Sequence, residues 1–357
     1  MSVTELEPRI FNLPKETLQR VAETAAGAEL ESFEIIEMQQ MPGFRGYAAE
    51  KVMPLIAYRT RDGRTGQVTI FGKRMYGPEI MEQKQYEFLE HHGIPTPNRL
   101  GFARDEKSHE ILFFEKLDDI SINETDLGEV RQYISMLARL NSIKPAVGDP
   151  WSPPPHPIAR ELIDGILVPR DLNTVWEHAD RGELGAEIKA LCASQRSRLP
   201  DLVQTSIELG RRLDEMPRAL LHEDYAGRNT GWRKGRTEFV LFDVHRLSIG
   251  PRFWDAILVL GSPEEPAFKI MTWEESLQFY FSELRRFGGS AGTVAEFQYD
   301  SKIIAAGNSF SAFRWMIRLA LSGKVDWTED REEGRRSYQS GVLNELKRLL
   351  AFEMPVA

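Results

Sequence analysis

The sequence predicts an α+β protein in two parts, a small β-rich first part with an antiparallel sheet and a larger helical second part. Three observations predict it. Runs rich in branched and aromatic residues crowd the first third, at Glu34–Gln40, Lys51–Thr60 and Gln67–Phe71, with Gly, Pro and Asp turn signals between them. From Gly128 onward apolar residues recur at helical spacing. A length of 357 residues suggests two domains or one bilobal unit with a substantial core.

Along the first part, Pro14 to Ala26 has a helix's composition, with proline at its start. The first two strands bracket Met41-Pro42-Gly43-Phe44-Arg45-Gly46. Gly43 and Gly46 fit an ordinary hairpin, and fit equally a turn whose N–H groups lie over phosphates. The turn Arg61-Asp62-Gly63-Arg64-Thr65-Gly66 leads into the third strand, which ends at Lys73 with Arg74 beside it. Lys73 reads either as a solvated strand-end cation or as a partner for anions. Gly77-Pro78 opens a helix whose body is Glu79 to His92. Glu82 falls in line with Tyr86 and Leu89 beside the apolar stripe, Glu79 lies one turn earlier, and Glu87 and Glu90 face solvent. Gly93-Ile94-Pro95-Thr96-Pro97 stops the helix by removing donors. Glu110 to Leu117 is then the last strand of this part, running into a linker at Glu115 to Leu117.

In the second part, Gly128 to Ile143 carries the apolar face Ile134, Leu137, Ala138 and Leu140. Asp149 to Pro157 is a stiff Pro-rich loop whose Trp151 could line a pocket. Further helices are expected around Glu183 to Arg198, Glu274 to Phe287, Ser301 to Ala320 and Glu332 to Leu350. No internal repeat breaks this order.

The chemistry sits between these helices. The apolar run Ala219-Leu220-Leu221 suits a short buried strand, and it enters His222-Glu223-Asp224-Tyr225-Ala226-Gly227-Arg228-Asn229, an H-x-D-x-x-x-x-N sequence. A turn at Lys234-Gly235 and a strand from Glu238 to Phe242 deliver Asp243, and Gly250-Pro251 and Asp255 follow. An isolated H-x-D-x-x-x-x-N is more often a turn or cap than a catalytic loop. Here the order strand, loop, hairpin, strand, aspartate meets what phosphoryl transfer needs. Asp224 can accept the proton of an incoming hydroxyl, while Asn229 and Asp243 converge on Mg²⁺.

This set resembles the aminoglycoside-phosphotransferase-like family of small-molecule kinases, relatives of the protein kinases. The resemblance implies a bilobal protein-kinase-like fold with an N-lobe at 1–115, a C-lobe at 116–357 and nucleotide in the cleft between. It implies ATP or GTP as donor, Mg²⁺ at Asn229 and Asp243, and Asp224 as base toward a small-molecule hydroxyl on an aminoglycoside, amino alcohol or sugar-like acceptor. Lys73 would neutralise the α- and β-phosphates, held by Glu82 or Glu79, with Gly43 and Gly46 in the nucleotide-covering hairpin. The backbone near Glu115 and Leu117 would bind adenine, His222 would orient the loop, and Asp255 would tie it down from the next helix.

The chain also departs from that pattern. Glu223 and Arg228 stand where the family commonly has glycine, Leu140-Asn141 replaces Leu-His, and the Lys73-to-Glu82 gap is short. A protein kinase is disfavoured, because Glu223 follows the loop histidine in place of arginine and Asp243-Val244-His245 replaces Asp-Phe-Gly. Only seven positions separate Asp243 from Gly250, too few for an activation segment. The alternative from another class is a nucleotide-binding pseudokinase with a scaffold or regulatory role.

Composition agrees with an enzyme of this kind. Hydrophobic residues at 41% and charged residues at 28% are ordinary for a globular protein, and a net charge of −9 argues against non-specific nucleic-acid binding. Cys192 is the lone cysteine, which suits a reducing compartment. The N-terminus lacks signal-peptide character and no uncharged apolar run reaches bilayer length, so a cytoplasmic protein with no membrane partner is expected. The oligomeric state is left open. Near the C-terminus, Asp326, Trp327, Glu329, Asp330, Glu332 and Glu333 read as a solvated loop and helix start, or as an attractor for a cationic acceptor.

Overall fold

A computed structural model describes residues 10–41, 50–75, 81–164, 167–184, 186–195, 197, 199–322, 340–344 and 346–348. The chain begins with α1 (Lys15–Ala26), which stops where Gly27 turns left-handed at φ 64° and Ala28 N–H reaches back to Glu23 O at 3.2 Å. Strands β1 (Leu30–Met41), β2 (Glu50–Thr60) and β3 (Thr65–Arg74) follow, then α2 (Glu82–His91), β4 (Arg99–Arg104) and β5 (Glu110–Glu115). The five strands form one antiparallel sheet in the order β1-β2-β3-β5-β4. Leu18, Val21 and Ala22 of α1 meet Val52, Ile56, Ile70, Ile111 and Phe113 of the sheet in one buried cluster.

Within this sheet β1 and β4 depart most from expectation. β1 starts at Leu30, earlier than Glu34, because register shifts between Leu30 and Ser32 and between Ile35 and Glu37 disturb the alternation that marks a strand. β4 was not expected at all, since Arg99-Leu100-Gly101-Phe102-Ala103-Arg104 mixes charge and glycine. Its glycine is a packing device. A Cβ on Gly101 would lie 2.6 Å from Val21 Cγ2, so only glycine lets α1 settle on this strand. Helix α2 begins at Glu82 among the described residues, whereas Gly77, Pro78 and Glu79 lie outside them.

The second half supplies β6 (Asp119–Ile120), α3 (Leu127–Ser142), α4 (Ile158–Ile163), α5 (Leu167–Asp180), α6 (Ala186–Gln195) and α7 (Leu199–Glu215). Then come β7 (Arg218–Leu221), β8 (Thr230–Trp232), β9 (Phe239–Leu241), β10 (Ser248–Pro251), α8 (Trp254–Leu260), α9 (Trp273–Arg286) and α10 (Val294–Ser322). The helix expected at Glu183–Arg198 is shorter, as α6, and the expected Ser301–Ala320 helix lies within α10. Most of Glu332–Leu350 and the acidic cluster from Asp326 to Glu333 lie outside the described residues. No helix among the described residues is long and apolar enough to cross a membrane.

By proximity the chain forms two units. The first takes described residues within Met1–Met136, Pro145–Ser152 and Asp224–Leu247, and the second takes those within Leu137–Lys144, Pro153–Glu223 and Ser248–Ala357. The first unit holds the five-stranded sheet and a three-stranded sheet in the order β6-β8-β9. The second is helical around the antiparallel pair β7–β10, with Phe253, Phe281 and Phe297 stacked in its core and a Thr272/Glu275 capping box opening α9.

Candidate active site

Lys73 lies near the end of β3, register-paired with Lys51 on β2 and with Leu112 on β5. A Cβ on the preceding Gly72 would meet Phe11, Val52 and Phe113 at 3.0–3.2 Å, so the sheet core closes tightly there. Lys73 is 4% exposed, and its ammonium lies 3.1 Å from Glu82 Oε1 and also donates to Asp243 Oδ1. Glu82 is fully buried as the first residue of α2, where the helix dipole favours a carboxylate. Burial alone would lower the Lys73 ammonium, but Glu82 and Asp243 outweigh it and hold its pKa above the ordinary value. Lys51 experiences the reverse balance. Burial depresses its pKa, with Asp243 opposing and Lys73 reinforcing the shift.

Asn229 and Asp243 owe their proximity to the β8–β9 hairpin. Thr230 pairs with Leu241 and Trp232 with Phe239, across a 3-10 turn at Lys234–Arg236 in which Gly235 adopts φ 70°. The ladder runs one step further, with Phe242 N–H donating to Asn229 O at 3.0 Å. Asp243 therefore leaves the hairpin next to Asn229. It does so in the left-handed region, at φ 59°, and its N–H donates to the Tyr86 hydroxyl at 3.1 Å. His245 Nδ1 lies 3.1 Å from Asp243 Oδ1. Burial would raise the Asp243 carboxyl, yet Lys73, His245 and Lys51 together hold it far below the usual carboxylate range.

Asp224 is held by its own loop. The Asn229 amide donates to Asp224 Oδ2 at 3.0 Å and to the Asp224 carbonyl at 2.8 Å, while Arg228 Nη2 reaches Oδ1 at 2.5 Å. Among the described residues the Asn229 amide oxygen takes no hydrogen bond, so it is left for another partner. A carboxylate and an amide oxygen are hard donors, the kind Mg²⁺ prefers. Asp243 and Asn229 could offer such donors: Asp243 is ionised and already carries a cation on Oδ1, and the groups that lie together around it are Glu82 and His245. Tyr225 braces the loop, its hydroxyl donating to Tyr133 O at 2.8 Å.

Upstream, in the second unit, Asp255 of α8 accepts His222 N–H at 2.6 Å and Glu223 N–H at 3.1 Å, and it is 1% exposed. His222 is fully buried. Asn141 accepts from the Tyr280 hydroxyl and donates to Leu220 O, both at 2.8 Å, so this asparagine fixes β7 just before the loop. Gly250 pairs with Ala219 across β10–β7, where a Cβ would lie 2.5 Å from Leu221 Cδ1. Glu223 adopts φ 65°, with its carboxylate 3.8 Å from His156 Nε2. His156 in turn stacks on Trp254 at 4.4 Å.

The structure thus brings Lys73, Glu82 and Asp243 into one cluster and Asp224 and Asn229 into hydrogen bond. Glu115 ends β5, and its carboxylate is taken by Asn98 N–H at 2.8 Å and Arg233 Nε at 3.2 Å. Leu117 follows in the linker, and its peptide makes no hydrogen bond among the described residues. Gly43 and Gly46 lie outside the described residues. Trp151 lies edge-on to Phe88 of α2, 5.8 Å between ring centroids. Lys51, Tyr86 and His245 were not predicted as site residues. A lysine within a strand, a tyrosine on the α2 stripe and the His two positions past Asp243 were the available signals.

No curated protein matches the chain in a sequence search. Among solved structures, the AMP-bound spectinomycin phosphotransferase APH(9)-Ia aligns at 13% identity over 95% of this chain and 98% of its own, with TM-score 0.53. The aminoglycoside phosphotransferase of Alicyclobacillus acidocaldarius aligns at 12% identity over 98% and 99%, with TM-score 0.50. A thermostable mutant of APH(4)-Ia, in ternary complex with AMP-PNP and hygromycin B, aligns at 11% over 94% and 99%, also at 0.50. At these identities the similarity establishes the α+β, kinase-like fold. The model of the phosphotransferase enzyme family matches residues 80–287, more than half of the chain, so this small-molecule kinase belongs to that family.

Proposed function

We propose that the chain transfers the γ-phosphoryl group of ATP or GTP to a hydroxyl of an aminoglycoside, amino alcohol or sugar-like acceptor, with Asp224 as general base. The observation that carries this reading is the Lys73 ammonium held between Glu82 and Asp243. Glu82 keeps the lysine in place while Asp243 can exchange it for other positive charge. Lys73 then serves the α- and β-phosphates, and Lys51, across the strand pair, adds a second cation. Asn229 and Asp243 would hold Mg²⁺, which when bound neutralises charge on the phosphate oxygens. The Asn229 amide and Arg228 aim the Asp224 carboxylate, and Asp255 fixes the loop's first residues. Phosphoryl transfer asks mainly for alignment and charge neutralisation, and these residues supply both.

Further support is indirect. Of the similar structures, the spectinomycin phosphotransferase carries AMP and the APH(4)-Ia mutant carries AMP-PNP with hygromycin B, which favours an adenine nucleotide and a small-molecule acceptor here. The Leu117 peptide is the proposed adenine contact, in the linker between an N-lobe of 1–115 and a C-lobe of 116–357. A cytoplasmic setting is supported by the lone, buried Cys192.

The test is Mg²⁺-dependent release of ADP or GDP with pooled aminoglycosides, amino alcohols, sugars and nucleosides, run beside Asp224→Asn. Turnover is expected with one pool, falling roughly 10²- to 10⁴-fold in the variant. Nucleotide binding without turnover in any pool would sink the reading in favour of a pseudokinase.

A further inference from the structure

A second cluster of ligand-type side chains lies at the far end of α2, apart from the residues assigned above. His91 is the last residue of the helix and His92 is its C-cap. Both turn their Nε2 atoms toward one carboxylate, that of Asp149 in the Pro-rich loop, at 3.6 Å from Oδ1 and 3.2 Å from Oδ2. One potential ligand atom from each of the three residues lies within 4.8 Å of the others.

These separations are informative. With metal–ligand bonds of 2.0–2.1 Å, adjacent ligands on a tetrahedral ion stand about 3.3 Å apart. Each imidazole nitrogen stands near that separation from one oxygen of the carboxylate, His91 from Oδ1 and His92 from Oδ2, and one ligand atom from each of the three residues lies within 4.8 Å of the others. Asp149 is also prepared, because Oδ2 accepts Ala146 N–H at 2.8 Å and its side chain is only 6% exposed. Trp151 of the same loop packs on Phe88 of the same helix, so an apolar contact already holds the loop against α2. The His91 side chain, 58% exposed, leaves one side open for water as a fourth ligand. Two imidazoles and a carboxylate suit Zn²⁺ and not Mg²⁺, which asks for oxygen donors.

We propose that His91, His92 and Asp149 form a binding site for a divalent transition ion of the Zn²⁺ class, clipping the end of α2 to the 145–152 loop. A bare ion pair between Asp149 and one protonated histidine is the competing account.

The full-length protein, freed of metal by a chelator, is titrated with Zn²⁺ in excess Mg²⁺ by calorimetry, beside His91→Ala and Asp149→Asn. Tm is measured in chelator and in Zn²⁺. One equivalent should bind the wild type and raise its Tm, and each variant should lose affinity on the order of 100-fold, at least what outer-shell changes cost. His91 is exposed, so His91→Ala should match the wild-type Tm in chelator. Co²⁺ loaded into the unaltered protein should give the intense visible bands of a tetrahedral ion. No saturable Zn²⁺ binding, unchanged affinity in His91→Ala, or an octahedral Co²⁺ spectrum would each overturn the site.

Discussion

Lys73 and Asp243 are 170 residues apart in sequence and share a hydrogen bond in the fold. The contact joins a strand of the five-stranded sheet to the end of the β8–β9 hairpin, and both groups are charged. Glu82 completes the set, so one buried ammonium serves two carboxylates. A buried ion cluster adds little net stability, because desolvation offsets most of the attraction. Its value here is positional. It keeps a cation and an ionised aspartate together, where the proposed reaction would meet phosphate charge.

Removing one member should therefore cost far more than removing a pair. Lys73→Met leaves two carboxylates without their cation, one of them fully buried, and should destabilise the fold by about 3–5 kcal/mol. Adding Glu82→Gln should recover a substantial part of that loss. Urea denaturation of both variants measures the difference, and a double variant no more stable than the single one would show that the cluster is not coupled in this way.

The acidity of Asp243 gives a pH dependence with a definite sign. Burial raises its carboxyl, but Lys73 and His245 lower it further, so the native pKa lies well below the ordinary 3.8. A depressed native pKa contributes stability above the unfolded value and loses it as pH falls from there toward the native one. The urea midpoint of the wild type should thus decline more steeply between about pH 5 and pH 3 than that of Asp243→Asn. Parallel curves would rule out this contribution.

Lys51 is expected to matter for nucleotide more than for folding. Its ammonium is depressed by burial, so replacing it relieves a cost, while one charge-assisted contact to phosphate would be lost. Lys51→Ala should raise the nucleotide KM about tenfold, the equivalent of roughly 1.4 kcal/mol, with kcat changing less and Tm not falling. Steady-state kinetics against nucleotide decide it. An unchanged KM would place Lys51 away from the phosphates.

What could be read in the sequence divides along physical lines. β2, β5 and the Asp224-to-Asn229 loop were legible because their signals are local: alternation, an apolar run, and fixed spacing in one stretch. Asp255 came from the family resemblance and not from a local pattern, and the fold sets its carboxylate on the His222 and Glu223 N–H groups. β4 was not, because Gly101 is there for the approach of Val21, a requirement set by another element. Lys51 was hidden likewise, since its meaning comes from lying opposite Lys73 in the β2–β3 register. Tyr86 looked like one more apolar residue of α2, and only the fold brings the Asp243 N–H to its hydroxyl. Helices α4, α5 and α7 pack on one another in the second unit and were not among the expected helices, although α5 and α7 both carry apolar residues at helical spacing.

Glu223 offers a test of the proposed catalytic loop's backbone. It holds φ 65° immediately before the proposed base, in a region that costs a non-glycine residue roughly 1–2 kcal/mol. Its conformation is fixed from two sides, by its N–H on Asp255 and by its carboxylate near His156. Replacing Glu223 with either alanine or glycine removes the carboxylate equally, but only glycine also removes the strain. Glu223→Gly should accordingly be more stable than Glu223→Ala by about 1 kcal/mol in urea denaturation. If the two variants are equally stable, the left-handed turn is not a cost to this loop. If the glycine variant is the more stable yet turns over more slowly than the alanine one, the stiffness of residue 223 is what holds Asp224 in line.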